Sequence, residues 1–191
     1  MTLDEFLQQV ERRAYKTAMF ATKERSDALD IVQDAMFKWL QAYSERDECE
    51  WPKLFQRVLQ NRILDWHRAR NRQRRLFWWK REDDQQSALD EFGAAAARGG
   101  EEIGVVDGSG ETPAALLACA QDIDCVNAVI ESLPLRQQQA FLLRSWEGFD
   151  VEETANIMDC TKSSVKTHHA RALAAIRAAL EAQSAYTPTT K

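Results

Sequence analysis

The stretch DVEETANIMDCTKSSVKTHHAR, residues 150–171, decides the fold of this chain. Asp150 is followed three residues later by Glu153, which is the spacing of a capping box, in which two carboxylate side chains satisfy free amides of the first helical turn. Gly148, just upstream, can close the preceding helix. Small and apolar residues then recur at helical spacing and predict a two-turn helix that ends near Asp159; they are Val151, Thr154, Ala155 and Met158.

A second helix is expected after a short connection at Cys160, with Thr161 or Ser163 as its cap. Two short helices joined by three or four residues form a helix-turn-helix. The predicted inner face of the second helix is Val165, His169, Ala172, Leu173, Ile176 and Leu180. The outward residues are short hydroxyls and cations, which suit base edges and phosphates in a major groove; they are Ser163, Ser164, Lys166, Thr167, Ala170 and Arg171. The alternative interpretation is an amphipathic helical hairpin packed inside an all-helical domain. Residues 162–177 carry four cations and no acid, which favours DNA recognition.

The charge of the chain is divided into two opposite blocks. The formal net charge is -5, although residues 53–81 carry ten Lys and Arg against one Asp, a net of +9. Residues 82–111 carry nine acids against one Arg, a net of -8, and little in them can build a core. The basic block indicates a nucleic-acid surface, and the acidic block indicates a linker.

Three helices are predicted before this linker. Thr2 and Glu5 have the spacing of another capping box, and Ser26 is expected to cap the second helix, which runs to about Tyr43. Pro52 suits the first turn of the third helix. The three inner faces are, in turn, Leu3, Phe6, Leu7, Val10, Ala14 and Tyr15; Leu29, Val32, Met36, Trp39 or Leu40, and Tyr43; and Phe55, Val58, Leu59, Ile63 and Trp66.

The outer surfaces of the second and third helices carry opposite charges. Asp27, Asp30 and Asp34 share one face of the second helix, which is either a solvated face stabilised by the helix dipole or a docking surface for a cationic partner. The third helix presents a nearly uncompensated row of cations, which repel one another at spacings of three and four unless a polyanion is near. We therefore expect this helix to contact nucleic acid.

The second domain is predicted to open with a helix whose inner face is Ile123, Val126, Val129 or Ile130, and Leu133. Pro134 interrupts it, and the following helix runs to Gly148. The fold class is thus all-α, with two small helical domains joined by a flexible acidic linker and a helix-turn-helix in the second. The expected boundaries are residues 1–81, a linker at 82–118, the helix-turn-helix domain at 119–183, and a frayed tail at 184–191.

Several function classes are not expected. The four cysteines are scattered without zinc-site spacing, so neither a metal nor another cofactor is predicted. The N-terminus does not resemble a signal peptide and no apolar run approaches bilayer length, so a cytoplasmic protein without membrane insertion is expected. Trp78 and Trp79 could stack on unpaired bases or pack against the helical domain.

Three blocks of the sequence resemble the extracytoplasmic-function (ECF) group of bacterial RNA polymerase sigma factors. They are DALDIVQDAMFKWL at 27–40, FQRVLQNRILDWHRARNRQRR at 55–75, and LPLRQQQAFLLRSWEGFDVEETANIMDCTKSSVKTHHARALAAI at 133–176. The resemblance implies a non-enzymatic protein that directs core RNA polymerase to promoters in a stress or an envelope or nutrient response. It implies three partners, namely core RNA polymerase, promoter DNA and an anti-sigma factor, and no small-molecule substrate.

The resemblance also implies three sets of site residues. Polymerase-core binding falls on Asp27, Asp30, Ile31, Gln33, Asp34 and Lys38. Recognition of the minus-ten element, with melting by the preceding loop, falls on Arg57, Asn61, Arg62, Trp66, His67, Arg68, Arg70 and Arg72. Recognition of the minus-thirty-five element falls on Ser163, Ser164, Lys166, Thr167, His168, Ala170 and Arg171. The small Ala170 and the turn at 161–163 depart from the family pattern, which leaves the base contacts open.

Two other functions compete with this interpretation. The segment VKTHHARALAAI at 165–176 also resembles the recognition helix of response regulators, which would make the chain a stand-alone helix-turn-helix transcriptional regulator. Such a protein would carry a strand-rich sensor domain, whereas residues 1–81 show only helical periods. A small nuclease or metal hydrolase could use Asp27, Asp30 and Asp34 with a histidine, but no metal-ligand spacing links the histidines to these acids.

Overall fold

The computed structural model describes residues 2–82 and 113–186, with side chains for residues 2–73 and 122–183. Three parts of the chain lie outside the described part: residues 83–112 of the linker predicted at 82–118, the side chains of Trp78 and Trp79, and the tail from residue 187 onward. Every regular element in that part is helical, as the sequence predicts: α1 Leu3–Thr22, α2 Arg25–Tyr43, α3 Trp51–Glu82, α4 Pro113–Ser132, α5 Leu135–Phe141, a π-helical turn Leu142–Trp146, α6 Val151–Met158 and α7 Lys162–Tyr186.

Helices α1 to α3 pack around an aromatic core and are called the N-terminal bundle below. The Phe6 ring lies 5.0 Å from Trp39 and 5.5 Å from Trp51, and Phe55 meets Phe6 edge to face. The predicted capping box of α1 is present, since Thr2 and Glu5 bond each other's backbone amides. Aromatic pairs in these geometries add to the stabilisation that burial provides. The bundle therefore has its own hydrophobic core.

The start of α2 and the place of Leu29 differ from the prediction, whereas the rest of the predicted stripe, Val32, Met36, Trp39, Leu40 and Tyr43, is buried or packs against the core. Ser26 is not the cap, because the helix begins at Arg25 with Glu24 in the cap position and no side-chain cap bond. Leu29, which was expected in the core, is 40% exposed, and the buried stripe is instead Ala28, Ile31, Val32, Ala35 and Trp39. The small Ala28 and Ala35 are completely buried, so they let α2 lie close to its neighbours.

Helices α4 to α7 form the C-terminal bundle. As predicted, Pro134 separates α4 from α5, and Gly148 ends the following segment with a positive φ of 81°, a region that glycine enters without steric penalty. Two expectations are wrong: α4 begins at Pro113, upstream of the predicted boundary, and Ile123 is 50% exposed. Ile130, which is 1% exposed, anchors α4 instead.

The helix-turn-helix forms from α6 and α7 as the sequence predicts. Asp150 and Glu153 make the capping box of α6, and Asp159 ends that helix in the left-handed region with a φ of 50°. The Thr161 hydroxyl accepts a hydrogen bond from the Ser164 amide, so Thr161 is the cap of α7. One buried cluster joins the two helices through Ala155, Ile157, Met158 and Val165. Thr154, Ala172 and Ile176 are also buried. Leu173 is 39% exposed and does not belong to the inner face, contrary to the prediction.

Candidate promoter-binding and docking surfaces

The outward row of α7 is exposed, as its sequence pattern predicts. Ser163, Lys166, Thr167, Ala170 and Arg171 are exposed, while Val165 and Ala172 on the opposite face are completely buried. The Thr167 hydroxyl donates to the Ser163 carbonyl at 3.0 Å, and the Ser163 and Ser164 hydroxyls lie 3.0 and 2.8 Å from the Thr161 hydroxyl. The row thus presents two cations and several small polar groups on a rigid helix, which suits a major groove.

Two residues near this row are placed differently from what the sequence suggests. Lys162 is not free of acids, because its ammonium lies 2.9 Å from a carboxylate oxygen of Glu152. His168 is half-buried, and its Nδ1 atom is buried without a hydrogen-bond partner among the described residues. The exposed cations left on the row itself are Lys166 and Arg171.

Contacts from the preceding helices hold α7 in position. The Ser145 hydroxyl lies 2.9 Å from Nε2 of His169, and the imidazole stacks near Phe141 with ring centroids 6.4 Å apart. Burial, with the charge of nearby Arg144, lowers the pKa of His169, so its ring is mostly neutral at pH 7. His169 therefore positions the helix rather than adding a cation.

Two arginines that the sequence did not single out hold the backbone at the two ends of α6, the first helix of the helix-turn-helix. Arg136 donates to the Met158 carbonyl at 2.9 Å, at the end of α6, and Arg144 donates to the Phe149 carbonyl at 2.7 Å, just before α6 begins. Charge-assisted bonds to backbone carbonyls orient a chain segment firmly. Their positions on α5 and the π-helical turn carry no sequence signal that distinguishes them from solvated arginines.

Helix α3 divides the predicted minus-ten residues into two groups. One is an outward row of exposed side chains that have the spacing of one helix face: Arg57, Asn61, Arg68 and Arg72. The other turns toward α1 and α2: Arg62, Trp66, His67 and Arg70. In this second group the Arg70 guanidinium lies over the Trp66 ring, 5.0 Å from its centroid. Burial lowers the pKa of His67, against a hydrogen bond to the Ala21 backbone that raises it.

The predicted docking acids of α2 face the second group across a groove of about 620 Å³. The Arg62 guanidinium lies 3.2 Å from the Asp34 carboxylate, and Arg70 lies 3.3 Å from Asp27. Asp65 also pairs with Arg62, so the cations of α3 are more compensated than the sequence suggests. The groove is lined by Asp27, Asp30, Ile31, Gln33, Asp34, Phe37, Arg62, Asp65, Trp66 and Ala69.

The groove offers an apolar as well as an acidic contact. Phe37 is 60% exposed and lines the groove together with four carboxylates and Trp66. Ile31 is only 6% exposed, and Lys38 lies at 4.0 Å from Asp34. Exposed aromatic rings beside charges are typical of binding surfaces. Sequence reasoning missed Phe37 because it lies outside the apolar stripe of α2, three residues after Asp34 on the acidic face.

Neither a metal site nor a membrane span is found in the described part of the chain. No group of three or more His, Cys, Asp or Glu among residues 2–82 and 113–186 is placed to hold a metal ion. No helix within those ranges has the length and apolarity that crossing a membrane requires. The described cysteines are free thiols, of which Cys49 is exposed and Cys125 and Cys160 are partly buried.

The chain matches a protein family in sequence and is similar in fold to solved structures. Residues 123–176 match the family described as Sigma-70, region 4, which covers the second half of α4, all of α5 and α6, and α7 as far as Ile176. The fold is similar to that of the sigma factor RpoE from Bartonella quintana, solved in complex with the anti-sigma factor NepR, with a TM-score of 0.60. The alignment is 20% identical and covers 93% of this chain and 96% of that one. No curated protein matched the sequence.

Proposed function

We infer that the chain is a sigma factor of the ECF group, which binds core RNA polymerase and directs it to promoters for transcription initiation. Two findings support this inference: the match of residues 123–176 to sigma-70 region 4, and a likeness of fold to RpoE that extends over both bundles. The function requires no catalytic group, because melting and recognition are binding steps. Such a protein works in the cytoplasm, where the polymerase is.

The observation that carries this proposal is the exposed row on α7. It lies inside the matched region and combines Lys166 and Arg171 with the small polar residues Ser163 and Thr167. We assign minus-thirty-five recognition to this row, with His168 and Ser164 at its edge. A bidentate contact from Arg171 to a guanine would discriminate against other bases by about 1–3 kcal/mol.

The N-terminal bundle supplies the other two proposed contacts. We assign polymerase docking to the acidic groove, in which Asp27, Asp30, Gln33 and Asp34 surround the exposed Phe37. Minus-ten recognition is assigned first to the outward row of α3, whose side chains meet solvent, and second to Arg62, Trp66, His67 and Arg70. The proposed division is residues 1–81 for these two tasks, 82–118 as linker, and 119–183 for minus-thirty-five recognition.

We also propose that an anti-sigma factor controls the chain. The basis is the likeness to RpoE, which was solved with the anti-sigma factor NepR bound. The signal that releases the chain would then act on that partner, in a stress or an envelope or nutrient response.

Co-purification with core RNA polymerase tests the docking assignment. Replacing Asp30 and Asp34 by Arg reverses two charges of the groove, and we expect binding to core to fall below one tenth of the wild-type level. The matched control is Asp4→Arg with Glu11→Arg, which makes the same charge change at exposed positions of α1. Unchanged co-purification of the groove variant, with circular dichroism showing an intact fold, would remove the docking assignment.

A further inference from the structure

We propose that Glu152, in the first turn of α6, competes with the phosphates of DNA for the Lys162 side chain and so limits how tightly the free chain binds duplex DNA. The proposal rests on the proposed function for the place of α7 in the major groove. Neither residue belongs to the three sets of site residues assigned above.

Lys162 lies at the edge of the outward row of α7. It is the first residue of that helix, and Lys166 follows it by four residues, so the two exposed side chains lie on the same side of the row. When a recognition helix enters a major groove, its outward row faces the base edges, and positively charged side chains beside that row reach the phosphates. Lys162 is therefore placed to contact the DNA backbone.

Glu152 holds Lys162 in the free chain. The Lys162 ammonium lies 2.9 Å from a Glu152 carboxylate oxygen, and the two side chains are 60% and 66% exposed. The amino terminus of α7 is the positive end of its helix dipole, and Lys166 lies one turn away, so an unpaired ammonium is unfavourable there. The Glu152 carboxylate, in contrast, is stabilised by the dipole of α6, because it lies in the first turn of that helix. The charges of both helices thus favour the pair.

The neighbouring acids of α6 have a different task. Asp150 accepts a hydrogen bond from the Glu153 amide at 2.8 Å, and Glu153 accepts one from the Asp150 amide at 3.0 Å, which forms the capping box. Glu152 is not one of the two residues of that box. Its charge can therefore be removed without removing the cap of α6.

The position of Glu152 brings its charge close to DNA. In a helix-turn-helix the second helix lies in the major groove while the first crosses the backbone, so an exposed acid in the first turn of α6 lies near the phosphates. A carboxylate and a phosphate repel each other, and both attract the same ammonium. Binding of DNA therefore either breaks the Glu152–Lys162 pair or proceeds without a phosphate contact from Lys162.

The expected effect is on affinity and not on base recognition. Non-specific binding increases with the number of phosphates that Lys and Arg neutralise, whatever the sequence. A chain whose Lys162 is occupied has one such contact fewer, whereas Lys166 and Arg171 remain exposed on the row. When core polymerase holds the promoter next to α7, the effective concentration of DNA is high, and one weakened contact matters less. Glu152 thus makes DNA binding depend more strongly on polymerase.

Fluorescence anisotropy of the full chain with a labelled duplex that lacks promoter sequence tests the proposal. Glu152→Gln should raise the affinity about 1.4- to 5-fold, which is the range that one solvent-exposed ion pair provides. The same variant should steepen the dependence of log affinity on log salt by about 0.9, because one more phosphate is neutralised.

The matched control is Asp159→Asn, which removes the same charge from the exposed turn between α6 and α7. Asparagine tolerates the left-handed conformation that Asp159 adopts, so the turn is preserved. No ion pair joins Asp159 to another residue of the described part. The control should therefore show a smaller gain in affinity than Glu152→Gln and an unchanged salt slope.

A further variant shows whether Lys162 carries the effect. In a Lys162→Ala background, Glu152→Gln should gain no more affinity than Asp159→Asn does, because no ammonium is left to release. Urea unfolding verifies that each variant is folded. Glu152→Ala removes the same charge and should give the same gain, so it takes the place of Glu152→Gln if that variant unfolds.

Two results would overturn the proposal: equal gains for Glu152→Gln and Asp159→Asn, or the same gain with and without Lys162. Failure of the proposed function is detected separately, by in-vitro transcription with core RNA polymerase. A wild-type chain that does not direct core polymerase to a promoter would contradict the proposed function, whereas the duplex affinities decide the role of Glu152.

Discussion

Replacing Asp27 by Asn should strengthen the binding of DNA to the free protein. The gain should exceed what the loss of one weakly repelling negative charge would give. Its carboxylate lies 3.3 Å from the Arg70 guanidinium, one of the predicted minus-ten contacts. Arg70 is therefore partly neutralised by a residue assigned to polymerase docking. Removing the carboxylate charge frees the arginine for a phosphate.

The expected magnitude follows from the exposure of this pair. The Arg70 and Asp27 side chains are 49% and 32% exposed, so the pair contributes the roughly 0.2–1 kcal/mol that is usual for solvent-exposed ion pairs. At about 1.4 kcal/mol per tenfold, this energy corresponds to an increase in affinity of about 1.4- to 5-fold. One additional phosphate contact should also steepen the dependence of log affinity on log salt by about 0.7 for single-stranded DNA.

Fluorescence anisotropy with a single-stranded oligonucleotide over a range of salt concentrations measures both quantities. The matched control is Asp30→Asn, which removes the same charge one turn along α2, where no ion pair forms with a described residue. An equal gain in affinity and slope for both variants would show a general field effect and refute the idea that Asp27 neutralises Arg70.

Three further predictions concern the helix-turn-helix. Val165 is completely buried, so Val165→Ala should lower the free energy of unfolding, measured in urea, by about 2 kcal/mol. Leu173 is 39% exposed, so the control variant Leu173→Ala should lower it by less than half of that amount. Arg171→Ala should reduce transcription from a promoter with an intact minus-thirty-five element by about 5- to 150-fold. The loss should be much smaller on a promoter in which that element is scrambled. Equal losses on both promoters would show that Arg171 contacts only a phosphate. The hydrogen bond from the backbone amide of Glu153 lowers the pKa of Asp150, so the unfolded chain binds more protons in acid. The stabilisation by the Asp150 cap is therefore complete above about pH 4 and is lost as the pH falls through the lowered pKa. The difference in thermal unfolding between wild type and Asp150→Ala should be largest at pH 7 and should shrink as the pH falls below about 4.

The elements that could be predicted from the sequence are those determined by local chemistry. Both capping boxes form because the cap and its partner are three residues apart in the chain, and Pro134 and Gly148 act through their own backbone restrictions. The exposed row of α7 follows from helical spacing. The resemblance to ECF sigma factors agrees with the region 4 match and with the likeness of fold.

The errors arise where tertiary packing decides between faces. Leu29, Ile123 and Leu173 fit a helical stripe by spacing but lie outside the core, since alanines and neighbouring apolar residues take the contact. Lys162 and Glu152 belong to different helices, and no helical period relates them.

In-vitro transcription with core enzyme and a promoter library randomised in both elements tests whether one chain reads two promoter elements for core RNA polymerase. We expect that the chain alone confers start-site selection, with enriched sequences in two blocks, and that Lys166→Ala with Arg171→Ala removes enrichment only in the upstream block. Transcription that stays unselective in the presence of the chain, or specific binding to a single duplex site without polymerase, would contradict it.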